Sequence, residues 1–187
     1  MINSLTEVFA GVDIYHCDAD TEKFKKDYWE ESKRTWSYLP FFKAVSQERD
    51  FCDSHYSPLE PLMSTHTERI QEIKDGFLEL NDVVEKCLTP YSLHYEIPFI
   101  RDSGAQVIYL KGNQFSKTIN PPGLNDYATL SLMALSDVCI RLERHDLEFD
   151  ISSGDVLIMP CNFPFDLRIK PSQNGEAFLL TKYLWPR

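Results

Sequence analysis

The 187-residue chain has no Cys-x-x-Cys pair, and its five cysteines, Cys17, Cys52, Cys87, Cys139 and Cys161, are odd in number and widely spaced. A zinc site or a disulfide framework is therefore not expected, and a reducing compartment fits. No window reaches the ~18 apolar residues that a membrane-spanning helix requires. The N-terminal stretch MINSLTEVFAGVDIYHCDAD lacks a basic segment followed by a long apolar run, so no signal peptide is expected. Basic residues are scarce: 19 Lys and Arg stand against 29 Asp and Glu, giving a net charge of −10. Nucleic acid is then a poor partner, because phosphate binding draws its affinity from clustered Lys and Arg. What remains is ordinary: 43% hydrophobic and 26% charged residues describe a globule rather than a disordered chain. The length suits one domain, 1–187, with a sizeable core, and the expected location is the cytoplasm.

Taken in order, Val8 to Tyr15 reads as a first strand, ending in His16-Cys17-Asp18. The letters His-x-Asp suggest metal, but no second His stands in a suitable frame, so the expected role is a strand end feeding a helix cap at Asp20 or Thr21. Thr21 to Tyr38 has helical spacing, with Phe24, Tyr28 and Trp29 on one side, and Pro40 stops it. Pro40 to Met63 holds three prolines among aromatics and charges and reads as a long irregular connection, with His55 at the surface. Thr65 and Glu68 form a capping box opening a helix whose apolar face is Ile70, Ile73, Phe77, Leu80, Val84 and Leu88, with Thr89-Pro90 closing it. Beyond Tyr91 the texture is that of strands: Gln106 to Leu110, Ala128 to Leu135, Val138 to Leu142 and Leu147 to Ile151. Arg144-His145-Asp146 falls in a turn between two of them. Three further short strands follow between Gly154 and Tyr183, with Asn174-Gly175 as a hairpin turn before the last. Strands at this density imply a sandwich or barrel.

Two blocks carry a family resemblance. In the first, AQVIYLKGNQFSKTIN, a strand runs into Gly112 and then Phe115; in the second come Gly154-Asp155, an apolar strand ending at Pro160, then Pro171 and Gly175. The frame resembles that of the prolyl-4-hydroxylase-like 2-oxoglutarate/iron(II) dioxygenases. In that family the glycine and aromatic precede a His-x-Asp pair, and the second block carries a distal His and, about ten residues on, an Arg for the 2-oxoglutarate carboxylate. The resemblance implies an α+β fold, a double-stranded β-helix or jelly roll braced by two N-terminal helices, with a helical support region over 1–90 and barrel strands over 91–187. It also implies that Thr118 and Asn120 stand at the His-x-Asp pair, Leu167 at the distal His and Ala177 at the Arg.

No one-residue shift of that frame restores the ligands. Residues 113–125 contain no His, Asp, Glu or Cys, and 156–175 contain no His, only Cys161 and Asp166. Iron(II) in such a site needs two imidazoles and a carboxylate; Thr and Asn are weak neutral donors and Leu donates nothing. The expectation is a catalytically inactive member of the fold, with no metal and no cofactor, acting as a structural or binding module through a protein partner or self-assembly. The resemblance also implies a bacteriophage setting, in the virion or in the host cytoplasm. Two alternatives stand beside it. One is a divergent hydroxylase with ligands relocated to His16, Asp18, His94 or His145. The other is a pocket that holds an anion without reacting, through Arg168, Lys170 or Lys182.

Overall fold

The segment Val156–Pro160, VLIMP, is apolar throughout and buried at every position but the last, and the fold explains why alternation is missing. The strand lies in the middle of a sheet covered on both sides, by helices on one and by a second sheet on the other, so neither face needs polar side chains. The computed structural model describes residues 1–34, 43–46, 53–58, 68–116, 119, 128–161 and 166–186, with the backbone alone at 32–34, 43–46, 53–58, 69 and 100–102.

In chain order the strands are β1 (Ile2–Phe9), β2 (Val12–Cys17), β3 (Lys43–Ser46), β4 (Asp53–Pro58), β5 (Phe99–Lys111), β6 (Thr129–Ala134), β7 (Val138–Leu142), β8 (Leu147–Ile151), β9 (Val156–Pro160), β10 (Leu167–Pro171) and β11 (Glu176–Pro186). Among the described residues the α-helices are α1 (Glu22–Arg34) and α2 (Glu68–His94). Eight strands form a large sheet in the order β1-β2-β9-β6-β11-β5-β4-β3, and three form a small sheet in the order β10-β7-β8. The pairings within both sheets are antiparallel. Two sheets facing one another with two helices behind the larger one make a jelly-roll core braced as the family resemblance implies.

Each central strand divides its side chains between two cores. On β9, Val156 and Ile158 face the helices while Leu157 and Met159 face the small sheet. On β11, Phe178, Leu180 and Leu184 go to the helix side, and Ala177, Leu179 and Tyr183 to the interior between the sheets. The helix-side core takes Phe24 and Tyr28 from α1 and Ile70, Ile73, Phe77, Leu80, Val84, Cys87, Leu88 and Tyr91 from α2. Trp29 of α1 caps it, its ring 4.7 Å from Tyr109 and 5.3 Å from Phe178.

Several boundaries depart from the sequence reading. The N-terminal strand is a hairpin of two: Gly11, at φ +81, supplies the left-handed turn that joins β1 to β2. Within Pro40 to Met63, expected to be irregular, β3 and β4 pair and extend the large sheet, β4 lying along β5 from Asp53↔Lys111 to Pro58↔Gln106. Thr65 lies outside the described residues, as does α1 beyond Arg34 up to the expected end at Tyr38. Pro90 does not close α2, which runs on to His94. Tyr91 is fully buried and its hydroxyl donates to the Gly11 carbonyl at 2.9 Å, and these contacts hold the last turn helical although Pro90 lacks an N–H. Finally, Asn174-Gly175 is a tight turn, at φ +56 and +64, but not a hairpin: β10 before it belongs to the small sheet and β11 after it to the large one. Its carbonyl at Gly175 accepts from the Gly112 N–H at 2.7 Å, which ties the crossing to the end of β5.

Candidate functional site

The two frame blocks meet along β10. The Ser116 N–H donates to the Ile169 carbonyl at 2.7 Å, the Ile169 N–H returns a bond to the Ser116 hydroxyl at 3.1 Å, and the Ile119 N–H donates to the Leu167 carbonyl at 2.8 Å. Residues from the first block therefore lie along the strand that begins at Leu167. Thr118 and Asn120 themselves lie outside the described residues. Ile119, between them, is buried and belongs to the core between the sheets, as do Leu167 on β10 and Ala177 on β11. Leu167 pairs with Leu142 and Ala177 with Leu110, so the neighbours across both ladders are apolar too.

The interior around these positions offers little to a ligand. Cys161 is buried there with its thiol 3.7 Å from the Ile119 carbonyl, and burial lifts its pKa to about 12, so it stays protonated at neutral pH. Asp166, the one carboxylate in 156–175, sits at φ +38 and pairs with Arg144 at 2.8 Å. Neither Leu167 nor Ala177 can donate to iron(II) or meet a carboxylate, so these two positions do not fit the metal and cosubstrate of the resembled family. Among the described residues no group of three or more His, Cys, Asp and Glu side chains could hold a metal ion.

The remaining histidines serve separate contacts. His16, at the end of β2, is a strand-end residue as expected: its Nδ1 lies 3.0 Å from Asp155 Oδ2 and its Nε2 2.9 Å from the Thr6 hydroxyl. Asp155 uses its other oxygen to accept from the Cys17 N–H at 3.0 Å. The Gly-Asp of the second block is thus a clasp between β2 and β9. Gly154 is needed beside it, because at φ +94 a side chain there would be strained and its Cβ would stand 3.0 Å from the Ala19 carbonyl. The strand does feed a helix cap, Asp20 Oδ1 accepting from the Glu22 N–H at 3.1 Å, and Asp18 is exposed. His94 packs edge-on against Tyr95 at the end of α2, and His145 packs on Phe9 from the turn after β7, the rings 4.6 and 4.7 Å apart. The side chain of His55, on β4, lies outside the described residues.

The basic residues considered for an interior anion site face elsewhere. Alternation on β10 sends Leu167 and Ile169 inward, and Arg168 and Lys170 to the outer face of the small sheet, where they pair at 3.4 Å with Glu143 and Glu148 respectively. Lys182 lies on the helix side of β11 and pairs with Glu85 of α2 at 2.8 Å. The anion reading fails in that form, because its three cations point away from the interior.

That outer face is the polar cluster the sequence did not single out. Glu148 on β8 accepts from Arg141 on β7 at 2.7 Å, from Cys139 at 3.2 Å and from Lys170 at 3.4 Å. Arg141 above all, with Cys139 and Lys170, holds the Glu148 carboxyl down at about 2, and burial first, then Glu148, lifts the Cys139 thiol to about 12. Phe115, the frame aromatic, lies under the Arg141 guanidinium at 4.3 Å and the Lys170 ammonium at 4.5 Å. A depression of about 730 Å³ opens beside the cluster, lined by Cys139, Glu148, Asp150, Lys170 and Ser172 among others. Alternating charge in VCIRL, LEFDI and LRIKP was the available signal, but which charges share a face required the strand register.

A Pseudomonas putida prolyl-4-hydroxylase superposes with a TM-score of 0.59 at 9% identity, covering 95% of this chain and 93% of that one. The fold is that of the prolyl-4-hydroxylase-like oxygenases. A Trichoplax adhaerens prolyl hydroxylase in complex with a hypoxia-inducible factor peptide gives 0.56 at 9% identity, over 94% and 84% of the two chains. A viral collagen prolyl hydroxylase from Paramecium bursaria Chlorella virus-1 gives 0.50 at 11% identity, over 93% and 95%. No family model matches the sequence, and no curated protein matches it. Identities this low speak for the oxygenase-like fold alone.

Proposed function

We propose that the chain is a catalytically inactive protein of the prolyl-4-hydroxylase-like oxygenase fold that works as a structural or binding module. The supporting observation is the apolar interior: Leu167, Ala177 and Ile119 share a buried core with Ile108, Leu110 and Leu142, and by the family resemblance Leu167 and Ala177 stand at the distal His and the Arg. A function on this fold resides in its site, and a site without ligands leaves the outer surface to carry the work. The partner is a protein or a further copy of the chain. A net charge of −10 disfavours nucleic acid, and no described helix is long and apolar enough to cross a membrane. A viral setting, with the protein in a phage virion or acting on a phage host, draws its support from the family resemblance and from a neighbour that is itself viral.

The test is direct. Purified protein incubated with iron(II) and 2-oxoglutarate is expected to retain no stoichiometric iron by metal analysis and to form no succinate above a protein-free blank. Iron at one equivalent, or succinate above the blank, overturns the proposal.

A further inference from the structure

Two of the five widely spaced cysteines are brought together by the fold. Cys17 ends β2 on its helix-facing side, and Cys87 lies on the buried face of α2 between Val84 and Tyr91. Their Sγ atoms stand 3.6 Å apart across 70 residues of chain, in van der Waals contact with each other. Both are free thiols. Cys139 faces the Glu148 carboxylate and Cys161 the Ile119 carbonyl, so among the described residues these are the cysteines with a sulfur for a neighbour.

We infer that Cys17 and Cys87 are a disulfide-forming site, oxidised by exchange with a low-molecular-weight disulfide to a cross-link that ties α2 to the large sheet. A disulfide requires sulfurs about 2.05 Å apart, so the pair has roughly 1.5 Å to close, a distance within reach of side-chain rotation. The backbone at Cys17 is already held by the Asp155 clasp, and Cys87 is held by the packing of α2, so neither element needs to be recruited from elsewhere. Both cysteines are buried, Cys17 at 8% exposure being the less enclosed residue of the two. Donation from the Cys87 S–H favours the Cys17 thiolate over the Cys87 one.

The exchange balances without another reactant. The Cys17 thiol gives up its proton and, as thiolate, attacks one sulfur of the small disulfide RSSR; the departing RS⁻ takes up that proton and leaves as RSH. The mixed disulfide on Cys17 is then attacked by the Cys87 thiolate, expelling a second RSH. Two protein thiols are oxidised and one small disulfide is reduced. The new bond closes a loop spanning α1 and the residues between the helices, and removes freedom from the unfolded chain.

The experiment uses the whole native protein. It is equilibrated with glutathione at increasing ratios of oxidised to reduced form, quenched in acid, alkylated and mapped by mass spectrometry. The expected product is one peptide pair joined through Cys17 and Cys87, with an upward shift in melting temperature that is reversed by reductant and absent from the Cys87→Ala and Cys17→Ser variants. Full alkylation of both cysteines under oxidised glutathione overturns the inference, as does glutathione left on Cys17 or a link to any other cysteine. The peptide map on wild type decides the matter even where a variant folds poorly.

Discussion

At the scale of single residues, the polar groups inside this protein hold strands and helices together. Asp155 joins β2 to β9 by accepting from His16 and Cys17, and Tyr95 joins α2 to the first hairpin by donating to Asp13 at 3.1 Å while its oxygen receives the Gly11 N–H at 3.3 Å. Asp13 is 2% exposed, and its pKa is raised, chiefly by burial and also by Glu7, against the lowering bond from Tyr95. A carboxyl whose folded pKa lies above its unfolded value stabilises the fold fully below the ordinary value of about 3.8, and that contribution is lost as pH rises through the folded pKa. At pH 7 the charge on Asp13 is therefore a net cost. Asp13→Asn removes the charge and keeps an oxygen for Tyr95, so the variant is expected to melt higher than wild type at pH 7, with the difference shrinking as pH falls through the acid range. Melting curves for the two proteins across that range check it; a variant less stable at neutral pH refutes the electrostatic reading of Asp13.

At the scale of elements, the helices and central strands were legible because their patterns are local. The apolar face of α2 from Ile70 to Leu88 is buried as its spacing predicts, and the strands over 128–151 match their expected positions within a residue or so. The end of α2 was not legible, because a proline signals a stop and only the buried Tyr91 and its bond to Gly11 show why the helix continues. A proline inside a helix leaves the carbonyl four residues back without its donor, here that of Lys86, and its ring crowds the same turn. Pro90 is exposed, so replacing it removes no packing. Pro90→Ala is expected to stabilise the protein by roughly 2–3 kcal/mol, the upper figure being the intrinsic helix difference between the residues and the lower allowing for the freer unfolded chain. Urea denaturation measures it. A loss of stability in Pro90→Ala means that the last turn of α2 depends on the proline itself.

At the scale of the whole molecule, the frame blocks can be asked whether their four positions converge. The family resemblance puts Thr118, Asn120 and Leu167 at one ligand set, so the variant Thr118→His, Asn120→Asp, Leu167→His is expected to gather three ligating side chains in one place, with Ala177→Arg adding a partner for a carboxylate. Putting an imidazole at Leu167, which is 2% exposed, costs on the order of 1–3 kcal/mol until a partner is found. A metal that binds only the native state returns part of that stability. Thermal melts with and without zinc should therefore show a metal-dependent rise in the triple variant and none in wild type. A folded variant with no rise means the positions do not converge.

Short-range pattern alone carries the amphipathic helices, the closing strands, the turn glycines, and the absence of a His-x-Asp…His set from the two frame blocks even after a one-residue shift. The sequence also carries the family frame, since Gly112, Phe115, Gly154, Asp155 and Gly175 are readable as letters. Which side chains meet depends on how the strands pair and the layers stack. The tertiary structure put Asn174-Gly175 between two sheets instead of within a hairpin, turned Arg168, Lys170 and Lys182 away from the interior, gathered Arg141, Lys170 and Glu148 around Phe115, and set Cys17 against Cys87 across 70 residues. The physical reason is the same in each case. Strand alternation fixes two faces but not which face is inside, and that choice belongs to the pairing register and to the layers that cover each sheet.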